Sequence, residues 1–262
     1  MTTQLKMLFA AVAMLIFLAA CNSESASNLT DAEDVLKQSL EAMEGLQSYS
    51  MKMESEQTMT VNDEEEVKMF MTVDAEMMID PIAFYQKLSM ESDIPMMGAF
   101  ETEMYLIDDT IYVFEPMMDE WMELPMEMAE ELGGLAEMQL SPDQQLAMLR
   151  NFVDDIEMTE NNNEYILKLA GEGTDFMEIA QVFGGVGTEG FDEMLEMFSQ
   201  LDLNFVEYEI FIDKETLYQT KLNMTMDMTM GMDGEIVRTV QSMNATITGY
   251  NEVEEIVLPE GL

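Results

Sequence analysis

The sequence contains no histidine and a single cysteine, Cys21. Histidine is the commonest general base and metal ligand in proteins, and the thiolate is the other frequent nucleophile and zinc ligand. One cysteine excludes an internal disulfide, and without histidine it cannot belong to a Cys–His pair or zinc cluster. Gly-x-Ser-x-Gly and Ser-x-x-Lys motifs are also missing. We therefore expect a protein that is not an enzyme and that uses no metal or other cofactor.

Basic residues are scarce, with 10 Lys and Arg against 54 Asp and Glu, so the formal net charge is −44. Cationic side chains supply most of the affinity for nucleic acid and for anionic lipid headgroups, so we expect neither interaction. The acidity favours solubility in a saline or crowded medium, or a cation-binding surface. We favour solubility, because no Asp-x-Asx-x-Asx-Gly calcium loop is present.

The N-terminus has one cation, Lys6, and then an apolar run that ends in Leu18-Ala19-Ala20-Cys21. This layout is typical of a secretory signal peptide, and the run is short for a membrane-spanning helix. The motif looks like a bacterial lipobox, with residues 1–20 removed, Cys21 lipidated and 21–30 a polar tether. The alternative is an ordinary signal peptide or uncleaved anchor with a chance cysteine. The lipobox predicts a lipid anchor on the extracytoplasmic face of the bacterial cell membrane.

Helical periodicity is confined to a few segments. The first predicted helix runs from about 31 to 46, with Thr30 as its N-cap. Another begins at Ser141-Pro142 and continues to about Ile156. Two short helices, about 174–183 and 191–201, flank a glycine-rich loop. No Gly-Lys-Ser/Thr follows this loop, so we do not expect it to bind phosphate.

Most of the remaining chain alternates apolar and polar residues with a period of two, which is typical of antiparallel strands with one wet face. Asp233-Gly234 adds a strong hairpin signal. No linker interrupts the chain after residue 30. We predict a single α+β domain over 31–262, with a large antiparallel sheet of about ten or eleven strands and helices packed on one side.

The 32 methionines are the most unusual component of the composition. Many occupy alternate strand positions, so they should share the inward, concave face of the sheet. They either fill an ordinary core or form an adaptable wall for a hydrophobic ligand. Thioethers also suit Cu(I), but strand neighbours on one face are about 7 Å apart, so several strands would have to converge. The predicted ligand-binding residues are Met51, Met53, Met69, Met71, Met224, Met226, Met228 and Met230.

Several segments together resemble a known family. They are Leu18–Cys21, residues 46–51, Asp80-Pro81-Ile82-Ala83, residues 121–125, residues 208–216 and the C-terminal 250–259. The chain resembles a family of Bacillus-type surface lipoproteins without assigned function, and more distantly it is similar to LppX/LprG and LolA/LolB-like lipoproteins. The resemblance implies a strongly curved, open half-barrel closed by helices, with a hydrophobic cavity for lipid. Among site residues it implies only the lipidated Cys21.

Three hypotheses follow. The first is a membrane-anchored lipoprotein that binds a lipid or other hydrophobic ligand in a methionine-rich cavity. The second is a structural or signalling-partner surface lipoprotein with a filled core and an unidentified protein partner. The third is a methionine-rich copper binder.

Overall fold

The computed structural model describes Leu29 and residues 31–62, 65–93, 98–108, 110–124, 142–172, 201–232 and 234–259. Cys21, the predicted signal peptide and the glycine-rich loop lie outside these residues, as does the predicted helix 174–183. Residues Asp31–Leu262 form one compact unit.

The described residues form an 11-stranded antiparallel sheet that is curved and open. The predicted α+β half-barrel class is therefore confirmed. The strands are β1 (Ser48–Val61), β2 (Glu65–Ile79), β3 (Ile82–Ser92), β4 (Ala99–Ile107), β5 (Thr110–Glu115), β6 (Glu120–Glu123), β7 (Glu157–Glu160), β8 (Glu164–Gly171), β9 (Leu201–Asp213), β10 (Gln219–Met232) and β11 (Glu235–Thr248).

The strand order is β6-β5-β4-β3-β2-β1-β11-β10-β9-β8-β7. Two meanders, β1–β6 and β7–β11, are thus joined where the first strand pairs with the last. Ser50–Val61 of β1 pairs with Val237–Thr248 of β11 without a register shift. The alternation in the long strands specifies this register, because a slip of one residue would turn the apolar set outward.

The register assigns each strand residue to one of two faces. We call the inner face the one that includes Tyr49 and Met51 of β1, and the outer face its opposite. The inner face supplies most of the fully buried strand residues: Tyr49, Met51, Val73, Ala75, Met77, Phe84, Ile111, Leu167, Leu169, Ile210, Leu222, Ala245 and Ile247.

Helix α1 spans Ala32–Met43 and buries Val35 and Leu36. Its N-cap is Asp31, whose side chain accepts a hydrogen bond from the Asp34 amide at 2.9 Å. The predictions of Thr30 as the cap and of a helix continuing to residue 46 were wrong. Asp31 has the extended backbone (φ −141°) that an N-cap requires, so its carboxylate takes this role.

The middle helical segment is shorter than predicted. Helix α2 covers Pro142–Leu149, and a 3₁₀ helix follows at Arg150–Asp155. Phe152 within this 3₁₀ segment has non-helical torsions (φ −118°, ψ 19°). The α-helical periodicity therefore does not reach Ile156 as expected.

Both helices contact the chain at the start of β10 or just before it. From α1, the Ser39 hydroxyl donates to the Leu217 carbonyl at 2.7 Å. On the α2 side, Gln145 Oε1 accepts from Gln219 Nε2 at 3.1 Å. The Tyr250 hydroxyl also donates to the Gln219 carbonyl. These bonds place α1 and α2 at one end of the inner face.

Two strand assignments differ from the sequence prediction. Residues Glu157–Glu160 form the edge strand β7, which was not predicted. Leu201, predicted as the end of a helix, begins β9. The pairing of β9 with β10 has a register shift near Asn204 and Phe205, so the alternation that identifies a strand is interrupted there.

Candidate functional site

All eight predicted methionines lie on the inner face. Met224 of β10 stands opposite Met243 of β11, which follows Gln241 and precedes Ala245 on that face. Ala245 stands opposite Met53 of β1. The register then continues through β2, whose inner residues include Met69 and Met71.

Burial divides these methionines into two groups. Met51 is only 5% exposed and belongs to the buried end of the face, where the helices lie. The other seven are half-buried. We call these seven the methionine patch: Met53, Met69, Met71, Met224, Met226, Met228 and Met230.

Other half-buried apolar residues extend the patch on the same face. Met243 of β11 and Met90 of β3 occupy inner positions beside Met224 and Met71 respectively. Met243 was missed as a site residue because polar residues interrupt the apolar alternation before it. The regular spacing Gln241-x-Met243-x-Ala245-x-Ile247 is the signal that could have identified it.

A strip of polar side chains crosses the methionine patch. It consists of Ser55 and Gln57 of β1 with Thr239 and Gln241 of β11. Gln57 stands directly opposite Gln241 in the register. Gln241 Nε2 donates a hydrogen bond to Ser55 Oγ at 3.2 Å. The methionine patch is thus apolar with a strip of amide and hydroxyl groups across it.

The basic side chains of the described strands occupy the outer face. This holds for every Lys and Arg on these strands: Lys52, Lys68, Lys87, Lys168, Lys221 and Arg238. Most of them form ion pairs with outer carboxylates, such as Lys168 with Glu207 at 2.7 Å. The inner face of the described strands therefore offers no cation to an anionic ligand.

Asp227 shows how the sequence separates the two faces of β10. It lies between Met226 and Met228 but points outward, where Arg238 donates to its Oδ2 at 2.6 Å and to its Oδ1 at 3.0 Å. Asn204 also donates to Oδ1 at 3.0 Å. The hydrogen bond from Arg238 is the main reason that the pKa of Asp227 is lowered, and burial opposes this effect.

Tyr208 of β9 lies in a low-polarity environment on the inner face. It stands opposite Met224 in the register. Burial raises the pKa of Tyr208 to about 12, because an apolar environment disfavours the phenolate.

The many acidic side chains of the described residues form no metal site. No group of three or more Asp, Glu, Cys or His residues among them could hold a metal ion. No helix in this part of the chain is both long and apolar enough to cross a membrane.

Comparison with known proteins assigns the family. Residues 31–262 match the model of a family of unknown function, DUF6612, so the chain belongs to that family. The expected resemblance to a family without assigned function is therefore confirmed. No curated protein matches the chain.

Comparison with solved structures gives matches that cover most of this chain at low identity. LprF from Mycobacterium bovis is 14% identical with a TM-score of 0.42, covering 88% of this chain and 97% of its own. A LolA superfamily protein from Nitrosomonas europaea is 10% identical with a TM-score of 0.23, covering 87% of this chain and 96% of its own.

Proposed function

We propose that this protein is an extracytoplasmic lipoprotein that binds a hydrophobic ligand, such as a lipid, on the methionine patch. The observation that carries the proposal is the half-burial of seven methionines on a face whose other end is fully buried. A packed core would bury them as completely as Met51 or Met77. A ligand that covers the patch removes the remaining apolar surface from water.

Methionine suits this task for a chemical reason. Its unbranched, polarizable side chain adapts to ligands of varied shape. Each square ångström of apolar surface that a ligand covers contributes about 25 cal/mol. Acyl chains spread over several half-exposed methionines would therefore gain several kcal/mol before the entropic cost of association.

The anchor is proposed from the sequence. Lipidation of Cys21 through a diacylglyceryl group would supply two acyl chains, which suffice for stable attachment. A tether over 21–30 would then hold the domain near the outer surface of the cell membrane. Binding rather than catalysis is proposed, because the chain lacks histidine and a free thiol after lipidation.

Ligand extraction tests the binding proposal. Protein lacking residues 1–20 is purified without detergent, extracted into organic solvent and analysed by mass spectrometry. We expect a co-purified lipid near one equivalent per chain, and uptake of the fluorescent hydrocarbon diphenylhexatriene after delipidation. A dry extract together with no dye uptake favours the alternative of a structural lipoprotein with a filled core.

Replacing Cys21 tests the anchor. Cys21→Ser removes the sulfur that carries the lipid, so we expect uncleaved precursor or released protein in cell fractionation. A Cys21→Ser protein that still fractionates as a mature, detergent-extracted membrane protein contradicts the lipobox assignment.

A further inference from the structure

The polar strip that crosses the methionine patch carries information about the ligand. Its two amides, Gln57 and Gln241, face each other across β1 and β11 and are both half-buried. Ser55 and Thr239 beside them are buried. We call Gln57 and Gln241 the amide pair.

The amide pair has more hydrogen-bonding capacity than the neighbouring protein groups use. A primary amide offers two N–H donors and a carbonyl acceptor. Gln241 donates to Ser55, and the Gln57 side chain makes no hydrogen bond to another described residue. A ligand group at this position could therefore accept from and donate to the pair.

Charge on the inner face restricts which ligand group is tolerated. Along β1–β4, β10 and β11, the polar inner residues away from the strand ends are Ser55, Gln57, Gln86, Thr102, Thr239 and Gln241, all uncharged. The strand cations lie on the opposite face, and the whole chain has a net charge of −44. An anionic headgroup here would lose its hydration without gaining a counter-ion, which is costly.

We propose that the ligand is an uncharged amphiphile of the diacylglycerol type, whose ester or hydroxyl groups hydrogen-bond the amide pair while its chains cover the methionine patch. This inference rests on the proposed binding function and adds the class of ligand. Two features discriminate between ligands. The amides can hydrogen-bond an uncharged polar group, and the inner face of the described strands lacks a cation that could pair with a phosphate.

The test uses three probes on the mature chain. Diphenylhexatriene, a hydrocarbon with no polar atom, measures binding to the patch alone. Dioleoylglycerol and dioleoylphosphatidic acid have the same acyl chains and differ in the phosphate. Both are tested for their ability to displace the dye from the patch. We expect dioleoylglycerol to displace the dye at a concentration at least tenfold lower than dioleoylphosphatidic acid.

A double variant isolates the amides. Gln57→Met with Gln241→Met keeps the size of both side chains and removes their hydrogen bonds. The loss of these hydrogen bonds should weaken dioleoylglycerol binding by at least tenfold. Dye binding should be retained or strengthened, because the two methionines add apolar surface to the patch. Thr58→Val, on the outer face of the same strand, is the matched control and should alter neither.

The outcomes separate the two proposals. If neither the wild type nor the variant binds the dye or dioleoylglycerol, the proposed function itself fails. If the dye binds but dioleoylphosphatidic acid competes as well as dioleoylglycerol, the uncharged ligand class is wrong. If the double variant binds dioleoylglycerol as tightly as the wild type, the amide pair does not recognise the ligand.

Discussion

Methionine and branched aliphatic residues are distributed unequally over the inner face. At the end near the helices, Ile210 and Ile247 are almost fully buried. Such stiff, β-branched side chains pack well between strands. Met226 and Met228 farther along β10 are flexible and half-buried. Met51 and Met77 are buried, but most of the inner-face methionines lie where the partner atoms are incomplete.

Met226 tests this division at the level of one residue. We expect Met226→Glu to abolish most diphenylhexatriene binding, because the carboxylate would have to be desolvated beneath the ligand. The stability cost should stay below about 2 kcal/mol, since the half-buried side chain can turn its charge to water. Dye titration and urea unfolding measure the two quantities.

Thr225→Glu is the control for Met226→Glu, because Thr225 lies on the same strand and points to the outer face. It should leave dye binding unchanged. A loss of stability of about 3–5 kcal/mol in Met226→Glu would instead show that an unpaired charge has entered a packed core.

At the level of elements, the long strands were predictable and the irregular ones were not. The alternation of β1, β2 and β10 has a period of two, which only a strand with one buried face explains. The start of β9 carries an inserted residue near Asn204, and β7 has only four residues. In both places the periodic signal is too short or too interrupted to be recognised.

The site was predictable only in part, for a related reason. Periodicity identified the face that Met224 and Met53 share. It could not show that Met51 is buried while Met53 is half-buried, because the period of a strand is independent of what covers it. The amide pair was missed because Gln57 and Gln241 become neighbours only through the pairing of the first strand with the last.

The Asp227–Arg238 pair should stabilise the pairing of β10 with β11. Asp227→Asn removes the charge, so we expect a loss of about 1 kcal/mol at neutral pH in urea unfolding. The native pKa of Asp227 lies below its ordinary value of 3.8. The stabilisation is therefore complete above that ordinary value and is lost as the pH falls through the lower native pKa.

The difference between the wild type and Asp227→Asn should accordingly shrink below about pH 4. Glu54→Gln is the matched control, because Glu54 forms an exposed contact with Lys52 at 3.7 Å. That substitution should change stability by a few tenths of a kcal/mol at most. An Asp227→Asn cost that stays constant as the pH falls to 2 contradicts the assigned role of the carboxylate.

For the whole molecule, the dominant feature is the excess of negative charge. The outer face pairs its few cations with carboxylates, and many acids remain without a cation nearby because acids outnumber bases 54 to 10. At low ionic strength these carboxylates repel one another over distances beyond 10 Å, and salt screens them. The sequence predicts this property directly, since it depends on composition more than on geometry.

Thermal unfolding at low and moderate sodium chloride tests this repulsion. We expect a higher midpoint at about 0.15 M salt, by roughly 2–4 °C for each kcal/mol of repulsion that is screened. Tetramethylammonium chloride at equal ionic strength should have the same effect. An unchanged or lower midpoint in both salts contradicts net repulsion, and stabilisation by sodium alone indicates a specific cation site.

Oxidation of individual methionines by hydrogen peroxide tests the open methionine patch most directly. Met117 is 93% exposed and Met43 is 3% exposed, so their oxidation rates define the fast and slow limits within one chain. In delipidated protein we predict intermediate oxidation rates for Met226 and Met228, measured by peptide mass spectrometry. Bound diphenylhexatriene should slow the oxidation of both strongly and leave the rate at Met117 unchanged. Rates for the patch as slow as that of Met43 without ligand, or no protection by the dye, would contradict a ligand-binding face.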